Sequence, residues 1–176
     1  MIFLTADISA GARHWRNDKS VYRWCRQFDV IDEASHDKWL EKISNDPTIK
    51  MYGILGGNYV VSTQWWEIEE EPHQVGVCGL TSIDRVNQSA EFSLYIAPEH
   101  QRKGYGRHAL VELLKRGFYA HNLNRIWGET FEGNPALKMF KSLGMKVEGT
   151  LRQSYYRDGH FIDSQIVSML RSECLL

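Results

Sequence analysis

The thirteen residues Tyr95-Ile96-Ala97-Pro98-Glu99-His100-Gln101-Arg102-Lys103-Gly104-Tyr105-Gly106-Arg107 constrain the fold more than any other stretch. A strand-like segment ends there, a basic, glycine-containing turn follows, and a helix opens. Leu110, Leu113, Leu114 and Phe118 give that helix an apolar stripe at helical spacing, which predicts packing on a sheet. A helix start presents unpaired N–H groups and partial positive charge, and so suits a phosphate. Gly104 permits a backbone conformation that a side chain resists, and Gly106 permits close approach of a ligand or of the sheet. Arg102, Lys103 and Arg107 add positive charge.

Three phosphate ligands compete. A nucleotide P-loop needs Gly, four residues and Gly-Lys-Ser/Thr, and no such string occurs. The dinucleotide fingerprint G-x-G-x-x-G/A is met literally by Gly104, Gly106 and Ala109. It belongs in a first strand–helix turn, however, and here about a hundred residues precede it. The third ligand is the diphosphate of coenzyme A, held by the backbone amides of Gln101 to Gly106.

Elsewhere the chain alternates. Helices are predicted over 17–28 and from Ser35, as a possible cap, to just before Asn45. Strands are predicted over 50–55, 59–68, 75–83 and 90–96. After the helix at 104–121 come a strand over 124–131, a helix over 135–143 stopped by Gly144, and strands over 146–156 and 160–170. Asp158-Gly159 marks the hairpin turn between the last two. The sum is one mixed α/β (α+β) domain over 1–176. Its expected core is a mostly antiparallel sheet of about seven strands with about four helices.

A formal net charge of −1 argues against nucleic acid as the main partner. Cys25, Cys78 and Cys174 form neither a disulfide framework nor a zinc pattern, and a reducing, cytoplasmic setting is expected. No apolar run reaches membrane-spanning length. No histidine shows metal spacing; His36, near Glu33 and Asp37, reads as part of a solvated helix face. Trp65 and Trp66 are adjacent in an extended segment, so one of them faces outward, as a homodimer contact or a substrate wall.

Gln101-Arg102-Lys103-Gly104-Tyr105-Gly106 resembles the Q/R-x-x-G-x-G/A signature of the GNAT acetyltransferases. The resemblance extends over roughly residues 10–170. Ala90–Ile96 is similar to the family's fourth strand, Asn124–Phe131 to its fifth, and Asn134–Gly144 to its short asparagine–aromatic–glycine helix. Trp15-Arg16-Asn17 and Glu148-Gly149-Thr150-Leu151-Arg152 resemble the branch of ribosomal-protein N-terminal and amino-sugar nucleotide N-acetyltransferases. The resemblance implies splayed central strands and acetyl-CoA as cofactor. It implies main-chain contacts near Leu94 and Ile96 to the pantetheine arm, and direct transfer to a primary amine on a small molecule or a peptide.

An amine acceptor must lose a proton. Strand alternation puts Glu91, Ser93 and Tyr95 on one face, and Glu91 is the best-placed base, with Glu129 the second choice. The alternative is an exposed structural carboxylate. The resemblance also implies a tyrosine as thiolate proton donor where this chain has Phe140, which leaves packing beside the cofactor as that residue's role. Tyr155 and Tyr156 are the substitute donors, or the thiolate leaves unprotonated. The loss also motivates a rival reading, an acyl-CoA-binding module without turnover. Asn134 combines a helix cap with a contact to the cofactor arm. Arg16 is a contact for an acidic acceptor or, with Trp15 and an Asn17 cap, part of the first helix's packing.

Overall fold

The computed structural model describes residues 2–5, 7–8, 11–57, 59–61, 66–68 and 72–175. The chain runs β1 (Ile2–Thr5), α1 (Gly11–Asn17), α2 (Lys19–Tyr22), α3 (Glu33–Asn45) and β2 (Lys50–Gly56). It continues through β3 (Tyr59–Val61), β4 (Trp66–Ile68), β5 (His73–Asp84), β6 (Ser89–Ile96) and α4 (Tyr105–Lys115). It ends with β7 (Arg125–Phe131), α5 (Ala136–Ser142), β8 (Lys146–Arg157) and β9 (His160–Leu170). One seven-stranded sheet has the order β1-β2-β5-β6-β7-β9-β8, and β3 and β4 form a separate pair. Every pairing is antiparallel except β6 with β7. The expected mixed, mostly antiparallel seven-stranded sheet is therefore observed.

Among the described residues five α-helices replace the expected four, because α1 precedes the predicted 17–28 helix and, past α1, only 19–22 of that range is helical. Asp18 has extended backbone, and its carboxylate accepts from the amide and hydroxyl of Ser20, which starts α2 afresh. Asn17 does not cap. Its side chain bonds both the carbonyl and the amide of Ile31 and ties the 23–32 segment to α1. Asp32, not Ser35, caps α3, accepting from the Ser35 amide at 2.7 Å. The predicted 59–68 strand is two short strands, and Trp65 and the side chain of Trp66 lie outside the described residues.

The core sits between the sheet and α4. Leu110, Leu113 and Leu114 of that helix, and Phe118 in the π-helical turn that continues it (Arg116–Ala120), are all fully buried, against Val75, Leu80 and Ile126 among others. Burying each such side chain stabilises by about 1.5–3 kcal/mol, which fixes the helix and hence its first turn against the sheet. Gly144 has φ +94°, as the predicted helix stop requires, and Asp158 (φ +48°) and Gly159 (φ +84°) make the β8–β9 turn.

Candidate active site

β6 and β7 pair only through Ser89:Arg125, Ala90:Ile126 and Glu91:Trp127. Beyond that rung β7 continues against β9, while β6 continues against β5 alone. The Ala97 amide bonds the Val75 carbonyl at 2.8 Å, which sets the alternation along the antiparallel pair. Tyr95 and Ser93 face β5 with their main-chain groups, and those of Phe92, Leu94 and Ile96 face the gap. A cleft of about 1340 Å³ fills it, running from Gly104, Gly106 and Arg107 past Leu94 and Ile96 to Glu91 and Glu129.

At the mouth, Arg102 (φ +63°) and Gly104 (φ +86°) both take the left-handed conformation. Gly104 is the N-cap of α4, so the Tyr105, Gly106 and Arg107 amides open the helix with no carbonyl a turn behind them. A Cβ at Gly106 would lie 3.5 Å from Ile96, 3.8 Å from Met139 and 4.0 Å from Leu94, all ordinary contacts. Internal packing does not demand glycine there; the space that a side chain would take belongs to the cleft. This cradle and the free edge of β6 fit a diphosphate and an extended amide-bearing arm, the two recognition elements of a coenzyme A thioester.

Several expected cofactor contacts are corrected. The Gln101 amide donates to the Pro98 carbonyl at 3.3 Å, closing the turn, and is not free for a ligand. Its side chain bonds the Ile96 carbonyl at 3.2 Å and the Ser20 hydroxyl at 3.4 Å, tying the turn to β6 and α2. The Tyr105 ring turns inward, edge-on to His100 and against Gly56, so only its backbone faces the mouth. Lys103 is exposed and off the cleft wall, whereas Arg102 and Arg107 line it. Arg107 also donates to the Ser142 hydroxyl at 2.8 Å. Asn134 accepts from the Ala136 amide at 3.0 Å at the start of α5, and Phe140 meets Phe92 edge-on at 5.2 Å; both line the cleft.

At the other end, Glu91 is not an exposed strand carboxylate: the residue is 8% exposed. Arg26, from the segment after α2, forms an ion pair with Glu91 and one at 3.2 Å with Glu129. Glu129 also accepts from the Ser164 hydroxyl at 2.5 Å and the Tyr155 hydroxyl at 3.2 Å. Burial pushes the Glu91 carboxyl above its ordinary range, opposed by Arg26 and reinforced by Glu129. Burial, and then the Glu129 charge, raise Tyr155 too, so its phenol stays protonated and committed to Glu129. Tyr156 is corrected outright. Strand alternation puts it on the opposite face, exposed and packed on Phe161 at 5.0 Å.

Residue-by-residue reading missed three side chains. Arg26 showed no motif. Arg157, which precedes the Asp158-Gly159 turn, is buried and donates to the carbonyls of Tyr22 (3.5 Å), Arg23 (3.3 Å), Cys25 and Arg26 (2.7 Å). His36 is not solvated. It is buried in the cleft wall, stacked on Trp39 at 5.5 Å. Arg16 lines the same cleft and donates to the Gln27 carbonyl. Among the described residues no cluster could hold a metal ion.

Comparison with known proteins agrees with this geometry. Residues 3–146 match the family model described as an acetyltransferase (GNAT) domain. An uncharacterized N-acetyltransferase, p20, of Bacillus licheniformis is 34% identical over 107 residues, 60% of this chain and 60% of that protein. Spermidine N(1)-acetyltransferase of Vibrio cholerae is 31% identical over 108 residues, 61% of this chain and 62% of that one. The chain thus spans about three fifths of the length of the curated relatives it matches. A crystal structure of the Vibrio cholerae spermidine N-acetyltransferase in complex with CoA and spermine superposes with a TM-score of 0.84. It covers 99% of this chain and 98% of that one at 22% identity, a likeness of fold. With the family model spanning most of its length and the strands parting where that fold requires, the chain belongs to the GNAT acetyltransferase family.

Proposed function

We propose that the protein is an N-acetyltransferase that moves an acetyl group from acetyl-CoA to a primary amine, with both reactants held together in the cleft. The observation that carries this reading is the parting of β6 from β7 after the Glu91:Trp127 rung. It exposes a main-chain edge between a phosphate-suited helix start and a pair of carboxylates.

The thioester supplies the activated acetyl carbon. The chain's own groups do the rest. The amides opening α4, with Arg102 and Arg107, bind and neutralise the diphosphate. The β6 edge at Phe92, Leu94 and Ile96 orients the arm as an added strand would and offers an N–H to the carbonyl oxygen as charge develops there. Glu91, more basic than an ordinary carboxylate, takes the proton that the acceptor nitrogen must lose, directly or through one water. A new C–N bond forms as the C–S bond breaks, and the sulfur departs as thiolate, since Phe140 has no proton to give.

The acceptors expected from the sequence are an amino sugar on a nucleotide carrier and the α-amine of a protein. The spermidine N(1)-acetyltransferase among its relatives adds spermidine, a polyamine. Thiol release with acetyl-CoA and a panel of these amines tests the reading. The expected result is amine-dependent release with at least one of them. Tight acetyl-CoA binding without release on any amine would establish the non-catalytic binding module instead.

A further inference from the structure

The carboxylates of Glu91 and Glu129 come from neighbouring strands, but the cation between them does not. Their side chains are 11% and 7% exposed, and that of Arg26 is 46% exposed. Arg26 reaches them from an irregular segment that no strand or helix fixes. What fixes that segment is Arg157, at the end of β8. Its guanidinium collects four carbonyls, those of Tyr22 at the end of α2 and of Arg23, Cys25 and Arg26 in the bend, and lies 4.5 Å from the ring centroids of both Phe28 and Phe131. One guanidinium sets the place of the other.

Two carboxylates and one guanidinium carry a formal net charge of −1 at the acceptor end of the cleft. One ammonium balances it. A second ammonium on the same molecule meets the two guanidiniums of that wall, Arg26 and, further along, Arg16, against one exposed carboxylate, Asp29. We infer that Arg26 is a specificity-determining residue that admits acceptors carrying one amine and selects against diamines and polyamines, and that Arg157 is the residue that positions it. This rests on the transferase reading and narrows its acceptor class to amines on neutral or anionic molecules.

The test compares the parent with R26Q, R26K and R157M. Acetyl-CoA-dependent thiol release gives kcat/KM for pentylamine and for 1,5-diaminopentane, two acceptors of equal length. The parent and R26K prefer the monoamine. R26Q moves the ratio toward the diamine by about tenfold, the size of one lost charged contact, and does so through KM rather than kcat. R157M moves the ratio the same way. An unchanged ratio in R26Q overturns the role of Arg26. A lower Tm with an unchanged ratio in R157M reduces Arg157 to a structural role. Thermal unfolding with 1,5-diaminopentane decides the Arg26 question without turnover: Tm rises for R26Q and not for the parent, and equal shifts overturn the inference. A parent that releases no thiol with any amine sinks the transferase reading alone.

Discussion

Glu91 and Trp127 form the last rung between β6 and β7, and the cleft opens one residue further on. The carboxylate of Glu91 therefore sits where the sheet stops being continuous, with sheet packing on one side and an open gap on the other.

Replacing Glu91 with Gln removes the base and keeps the shape. Because burial raises this carboxyl, the acid limb of the parent's pH–rate profile lies above 4.5, the ordinary glutamate value. E91Q loses about a hundredfold in kcat/KM, together with that limb. A profile matching the parent's would make Glu91 structural.

Gly106→Ala separates folding from binding. Its Cβ meets only ordinary contacts, and alanine is favoured over glycine in a helix by about 1 kcal/mol. Tm holds or rises by roughly 2–4 °C, while acetyl-CoA affinity falls at least about tenfold because the methyl enters the cradle. Calorimetry and thermal unfolding on the same sample check both signs, and unchanged affinity removes the assignment of the mouth.

Tyr155→Phe asks whether the phenol acts on the reaction or on Glu129. The structure commits it to Glu129, so the variant loses about 1 kcal/mol of stability, and kcat drops by less than about tenfold. A collapse of kcat at unchanged Tm would make Tyr155 the proton donor after all.

Acid should loosen the helices and turns before it reaches the core. Hydrogen bonds from Ser20, Ser35, Thr48 and Asn87 hold Asp18, Asp32, Asp46 and Asp84 below the ordinary aspartate value of 3.8. A lowered carboxyl contributes stability that is present above its unfolded pKa and lost as pH falls through the folded one. Glu91 has the opposite sign: its raised pKa favours the fold below 4.5, an advantage lost as pH rises. Glu148 and Glu173 are lowered as well, by Arg125 and Lys146, so six carboxyls oppose one and Tm falls between about pH 5 and about pH 3. Asp32→Asn, which keeps a capping oxygen, shows a shallower fall.

The cofactor half was legible because its determinants are local. The apolar stripe of α4, the left-handed Gly104 and the alternation along β6 each occupy a few consecutive residues. Even there, Gln101 escaped, since nothing in the sequence says that its amide closes a turn on Pro98. The acceptor half rests on long-range contacts: Arg26 is 65 residues from Glu91, and Arg157 is 135 from Tyr22. Periodicity carries no trace of such pairs. The same blindness carried a helix on to Phe28, although α2 ends at Tyr22 and the carbonyls of Arg23, Cys25 and Arg26 beyond it accept from the distant Arg157.

The bend gripped by Arg157 divides the molecule's evolutionary freedom unevenly. The thioester-handling half is encoded in one contiguous run and built into the sheet, so drift there threatens folding as well as catalysis. The opposite wall hangs from a few side chains: Arg157 at its start, Arg16 on the Gln27 carbonyl and Asn17 on Ile31. Exchanging that short segment, with the side chains that hold it, would retarget the catalyst to differently charged substrates and leave its engine alone.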